Sequence, residues 1–145
     1  MTSDSTTIVG RCHCGNLSFE LESSRPPEEL APRTCGCSFC RAHAGLYISD
    51  PQGFVRFTAR DPARVSRYRF GHKSCDFLIC ADCGVFLGAL MTEGNQAFAV
   101  LNIRTCDDPH RFTGTPATMD YDAEAPTDRL SRRRARWTPA APFGS

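Results

Sequence analysis

Residues 80–84 read Cys80-Ala81-Asp82-Cys83-Gly84, and residues 12–15 read Cys12-His13-Cys14-Gly15. Each is a two-thiol unit followed by glycine, and the stretch at 80–84 has the C-x-x-C-G form of a zinc knuckle. Glycine after the second cysteine tolerates a positive φ, so backbone N–H groups can fold back toward the sulfurs and offset thiolate charge. Together the two units would supply four sulfurs at about 2.3 Å from one zinc, the closed tetrahedral set of a structural site. Such a site clamps segments that are far apart in sequence. Buried, unligated cysteines acting as small hydrophobes would not call for paired spacing with trailing glycines.

Outward from these units the chain is a run of short β-type segments. Ile8 and Val9 lead into the first pair, and Leu17, Phe19 and Leu21 alternate with Ser18 and Glu20 behind it. Further strands are expected near 54–57, 65–70, 77–79, 85–90 and 97–103, punctuated by Asp-Pro, Gly-His, Cys-Gly and Gly-Asn turns. Pro26, Pro27 and Pro32 make 25–32 a surface connection. Residues 38–44 favour a brief helical turn closed by Gly45, followed by an extended segment at 46–49 and a turn at Asp50-Pro51-Gln52-Gly53. The expected fold class is mostly β, built of short antiparallel strands.

A chain of 145 residues, 41% apolar and 23% charged, has the size and hydrophobic content of one globular domain. Seventeen basic against sixteen acidic side chains leave a net charge of +1, which excludes a generic polycation for nucleic acid or anionic membrane. The amino-terminal residues 1–7 lack the basic and apolar regions of a secretory signal, and no apolar run approaches the roughly 20 residues of a spanning helix. The expectation is therefore a cytoplasmic protein without a membrane partner. There an odd count of nine cysteines is better used on metal than on disulfides.

Cys35-Gly36-Cys37-Ser38-Phe39-Cys40 packs three further thiols into six residues. Three ligands leave one zinc position to be filled. Either a fourth protein group closes it, with Cys75, Cys106, His43, His72 and His110 as candidates, or the position stays open for water or substrate, as at catalytic zinc. In the open case three thiolates give Zn²⁺ a formal charge of −1, which suits a soft sulfur ligand. A thiol bound there would be held as thiolate and act as a nucleophile toward a small carbonyl compound; the reverse reaction cleaves a carbon–sulfur bond. His43, three residues beyond Cys40, is the candidate acid–base group, whereas His13 would point away from the metal its neighbours share. Cys75 is read as a spare core thiol, and iron would suit the thiolate sets as well as zinc.

From Thr105 onward the chain turns polar, with an acidic stretch at 120–124 and five arginines within 129–136. Residues 111–145 are expected to form a peripheral C-terminal extension, either a solvated helix or arm or, in a sharper reading, an anion-binding or subunit-contact arm anchored by Trp137. The ten phenylalanines and three tyrosines fall within β-like segments, which fits a core better than a base-stacking platform and disfavours nucleic acid as a partner.

Gly10-Arg11-Cys12-His13-Cys14-Gly15 with Phe19 behind it, the cluster at 35–40, Gly45, and Cys80-Ala81-Asp82-Cys83-Gly84 with Leu87 behind it stand together in an order that resembles the glutathione-dependent formaldehyde-activating (GFA) enzymes, grouped with centromere protein V. The resemblance covers roughly residues 8–110. It implies a β-tent fold, two zinc ions per chain, and carbon–sulfur lyase chemistry on S-hydroxymethylglutathione, with glutathione and formaldehyde as partners. It places Cys12, Cys14, Cys80 and Cys83 on the structural zinc and Cys35, Cys37 and Cys40 on the catalytic one. Where the family often has a histidine between the first two cysteines of the second cluster, this chain has Gly36. Arg33, Arg41 and Arg104 lie near the motifs and could meet the carboxylates of glutathione. The alternative is a non-catalytic interaction module with two structural zinc sites.

Overall fold

A computed structural model describes residues 6–70, 73–121 and 123–143. Strand β1 (Thr6–Arg11) pairs antiparallel with β2 (Leu17–Ser23) in an unbroken register from Thr6 opposite Ser23 to Arg11 opposite Ser18. The alternation seen in β2 puts Leu17, Phe19, Leu21 and Ser23 in the interior. The proline-rich connection makes one 3₁₀ turn at Pro27–Glu29, then the short strand β3 (Arg33–Cys35) leads into helix α1 (Ser38–His43) and β4 (Tyr47–Ile48). Strands β5 (Phe54–Ala59), β6 (Val65–Tyr68), β7 (Asp76–Cys80), β8 (Phe86–Glu93) and β9 (Gln96–Asn102) follow. The chain ends in β10 (Ala117–Met119), helix α2 (Pro126–Arg136) and β11 (Thr138–Ala140).

The sheet is organised around β9. One of its edges carries β8, which continues to β7 and β6; the other is shared by β11, opposite Ala97–Ala99, and β4, opposite Leu101 and Asn102. From β11 the sheet runs through β5 and β2 to β1, and from β4 through β3 to β10. Strand β8 is buried over Phe86–Met91 because both of its faces are covered. Leu87, Leu90, Leu78 and Leu101 join the core under β1, β2 and β5, while Phe86, Ala89 and Met91 join a second cluster with Cys40, Tyr47 and Trp137. The mostly β fold thus stands, and most pairings are antiparallel; β10 with β3 and β11 with β5 are parallel.

Within the C-terminal segment 111–145, expected to be peripheral, residues 137–141 are built into the fold. Strand β11 lies between β5 and β9, Thr138 is fully buried, Trp137 is 6% exposed, and Thr138 Oγ1 accepts the Asp50 N–H at 2.8 Å. Residues 137–141 are short and proline-containing, so nothing in their pattern announces a strand. Pro139 has no N–H to give, but Thr138 and Ala140 flank it in register with Ala99 and Ala97. No helix among the described residues is long and apolar enough to cross a membrane.

Candidate functional site

Cys12 and Cys14 lie just beyond β1, and Cys80 and Cys83 lie at the end of β7 and in the turn beyond it. The two turns are built alike. Cys12 N–H donates to Leu17 O (2.8 Å) and Gly15 N–H to Cys12 O (3.1 Å); Cys80 N–H donates to Val85 O (3.0 Å) and Gly84 N–H to Cys80 O (2.8 Å). Gly15 and Gly84 have φ of +86° and +80°, the conformation for which the trailing glycines were needed. All four sulfurs lie within 4.8 Å of one another, with Cys12–Cys14 at 3.7 Å and Cys14–Cys80 at 3.5 Å. A tetrahedron of zinc–sulfur bonds has edges of about 3.8 Å, so the set fits that metal. Burial pushes the Cys80 thiol up to about 12 against the pull of the Cys83 and Asp82 amides. Cys83 goes the other way: burial is outweighed by the N–H groups of Cys14 and Val85, which bring it to about 6.

The second cluster is assembled by β3, α1 and β4. Cys37 is the N-cap of α1, and its Sγ accepts the Cys40 N–H at 3.4 Å, so the first helical turn returns Cys40 to the side of Cys37. The sulfurs of Cys35, Cys37 and Cys40 lie within 4.8 Å of one another. The Tyr47 hydroxyl, carried on β4, donates to Cys40 Sγ at 3.0 Å. Gly45 makes room for that ring, since a Cβ there would sit 2.2 Å from the Tyr47 hydroxyl, while the αL cap of α1 is Ala44, not Gly45. Hydrogen bonding with Cys35, then burial, pushes the Cys40 thiol well up, and burial keeps Tyr47 protonated as a donor. Three thiols this close cannot all ionise without a cation among them, so this cluster too could hold a metal ion.

Among the described residues no fourth histidine, cysteine or carboxylate completes this cluster. His43 is exposed on α1, its ring packed on Phe39 (4.4 Å between centroids) and Phe86 (5.4 Å). Cys106 is buried in the other core, where burial pushes it up to about 12. His13 and His110 are exposed, and His72 lies outside the described residues. Cys75 is buried in the same core cluster as Cys40.

The cluster opens onto a cavity of about 130 Å³. Phe70, Phe77, Ala89, Val100 and Trp137 give it an apolar lining, and Arg33, Arg129, Arg132 and Arg133 give it a cationic wall. Arg41 and Arg104 do not line it; Arg104 instead donates to Ala44 O. The sequence pointed to Arg33, Arg41 and Arg104 and left the arginines of α2 between a solvated helix and an anion-binding or subunit-contact arm. Their i, i+3, i+4 spacing at 129, 132 and 133 is the signal for a shared helix face turned to one site.

The sequence model of the family described as glutathione-dependent formaldehyde-activating enzyme matches residues 7–121. The chain belongs to this family. All seven cysteines of the two clusters fall inside the matched region of this GFA protein, whereas α2 and β11 lie beyond it. The crystal structure of a Rhodobacter sphaeroides protein from a structural-genomics programme is similar over 76% of this chain and 99% of its own, with 22% identity and a TM-score of 0.58, a likeness of fold. No curated protein matches the chain.

Proposed function

We propose that this GFA-family chain is a zinc-dependent carbon–sulfur lyase that acts on the adduct of a small thiol and a small aldehyde, such as S-hydroxymethylglutathione. Cys12, Cys14, Cys80 and Cys83 would hold a structural zinc; Cys35, Cys37 and Cys40 would hold a catalytic one. The observation that carries this reading is the three-thiol cluster opening onto a cavity, with no fourth ligand among the described residues. Zinc bound there supplies a position that accepts a substrate sulfur and favours its thiolate.

The chain's own residues prepare that position. The Tyr47 hydroxyl orients Cys40 and withdraws charge from its sulfur. The Phe70, Phe77 and Trp137 side chains keep the reacting carbon–sulfur bond away from bulk water, and the arginine wall favours anionic thiols. The functional unit extends past 8–110 in this reading, because three of the four arginines of that wall come from α2. A module with two closed structural zincs would need a fourth ligand at the second cluster, so the cavity favours the enzyme.

The test is exchange spectroscopy on mixtures of glutathione and ¹³C-formaldehyde. The zinc-loaded protein is expected to accelerate interconversion of free and thiol-bound formaldehyde, and Cys37→Ser to abolish the effect; no acceleration by the wild type contradicts the lyase.

A further inference from the structure

Arg133 differs from its neighbours on α2. Arg129 and Arg132 both contact Glu124, at 3.3 Å and 2.9 Å, and Arg134 pairs with Glu93 at 2.8 Å. Arg133 is 7% exposed, and among the described residues no carboxylate lies within ion-pair distance of it. One Nη donates to Ser74 Oγ at 2.6 Å, and the guanidinium carbon lies 4.7 Å from the centre of the Trp137 ring. Its Nε, like that of Arg129, is buried with no hydrogen-bond partner among the described residues.

A buried cation with no ion-pair partner among the described residues and one N–H unsatisfied costs stability, and it persists where something else repays it. Ser74 and Trp137 hold the guanidinium in one orientation, and the group lines the cavity onto which Cys35, Cys37 and Cys40 open. A guanidinium presented edge-on matches a carboxylate, which can take two parallel N–H bonds.

We propose that Arg133 receives a carboxylate of the substrate, so that the site selects carboxylate-bearing thiols and their aldehyde adducts over neutral ones. This rests on the lyase reading for the thiol end of the ligand. The selecting residue comes from α2, outside the residues 7–121 matched to the family, so members that differ in this segment would differ in substrate.

The test is calorimetric titration of the zinc-loaded full chain with 3-mercaptopropionate and with its neutral amide, 3-mercaptopropanamide. The acid is expected to bind about tenfold or more tightly than the amide. Arg133→Gln should bring the acid down to the level of the amide, with zinc content and melting curve confirming the fold. Should Arg133→Gln not fold, Arg133→Lys keeps the charge without the planar fork and is expected to retain only part of the preference.

Equal affinity of acid and amide in the wild type overturns the proposal, as does an equal loss of both in Arg133→Gln. Butanoate, which has the carboxylate and no thiol, separates the two readings. If butanoate binds as tightly as 3-mercaptopropionate, the amide does not bind and Arg133→Gln removes both acids, the carboxylate site stands and the lyase reading loses its thiol site. If both thiols bind equally, the thiol site stands and the Arg133 assignment falls.

Discussion

The Tyr47 hydroxyl donates to Cys40 Sγ at 3.0 Å, and this bond ties β4, in the centre of the sheet, to the helix that carries the second cysteine cluster. Tyr47→Phe should leave stability within about 1 kcal/mol of wild type, the usual net worth of one hydrogen bond. It should weaken zinc at the second cluster by about 10–100-fold, the range found when a partner of a metal ligand is removed. Gly45→Ala should do more, because the added Cβ meets the Tyr47 hydroxyl at 2.2 Å. Overpacking of this kind costs about 1–3 kcal/mol. Thermal melts and a zinc titration of the two variants check both.

The two clusters should respond differently to loss of one thiol. Cys80→Ser removes a thiol from a set that joins the ends of β1 and β7 and could hold one metal, so melting temperature and metal content should fall together. Cys37→Ser should lower metal content while leaving most of the fold intact, because Cys37, Cys40 and the intervening turn are local in sequence. Circular dichroism melts paired with metal analysis distinguish them; equal unfolding of both variants contradicts the division of labour.

Zinc affinity at the first cluster should rise with pH. Cys80, at about 12, is protonated in the metal-free protein at neutral pH, whereas Cys83, at about 6, is largely thiolate. Metal binding must therefore displace the Cys80 proton, and acidification below about 6 adds the proton of Cys83 to that cost. Calorimetric zinc titrations in buffers of different ionisation enthalpy should show net proton release at pH 7; none released would contradict this.

Removing the C-terminal segment should unfold the protein. A chain ending at Arg136 lacks Trp137 and the strand between β5 and β9, and it exposes the edges of both. Trp137→Ala alone should cost about 3–5 kcal/mol, as for other buried aromatics. A truncated chain that melts like the wild type would return the segment to the periphery.

The contrast between the clusters and the tail shows what the sequence made legible. Cys12, Cys14, Cys80 and Cys83 announced themselves because ligand spacing and trailing glycine are local, and local chemistry survives in a one-dimensional string. The strands around Leu17, Val55 and Leu101 were legible for the same reason, through alternation or short apolar runs. The place of β11 was not, because a three-residue strand with a proline owes its position to partners at Val55 and Ala97–Ala99, far back in the chain. His43 had the spacing to reach the second cluster; its ring is exposed and packs on Phe39 and Phe86, and it is not grouped with the three thiols. The arginines of α2 stayed open between a solvated helix and an anion-binding arm, because composition does not tell which helix face turns inward.

The central claim is that Cys35, Cys37 and Cys40 hold a metal open to an outside thiol. Native mass spectrometry of the purified chain, with and without glutathione, tests it most directly. The account predicts two zincs per chain and a glutathione adduct that is absent from Cys37→Ser; two zincs that never take up a thiol would contradict it.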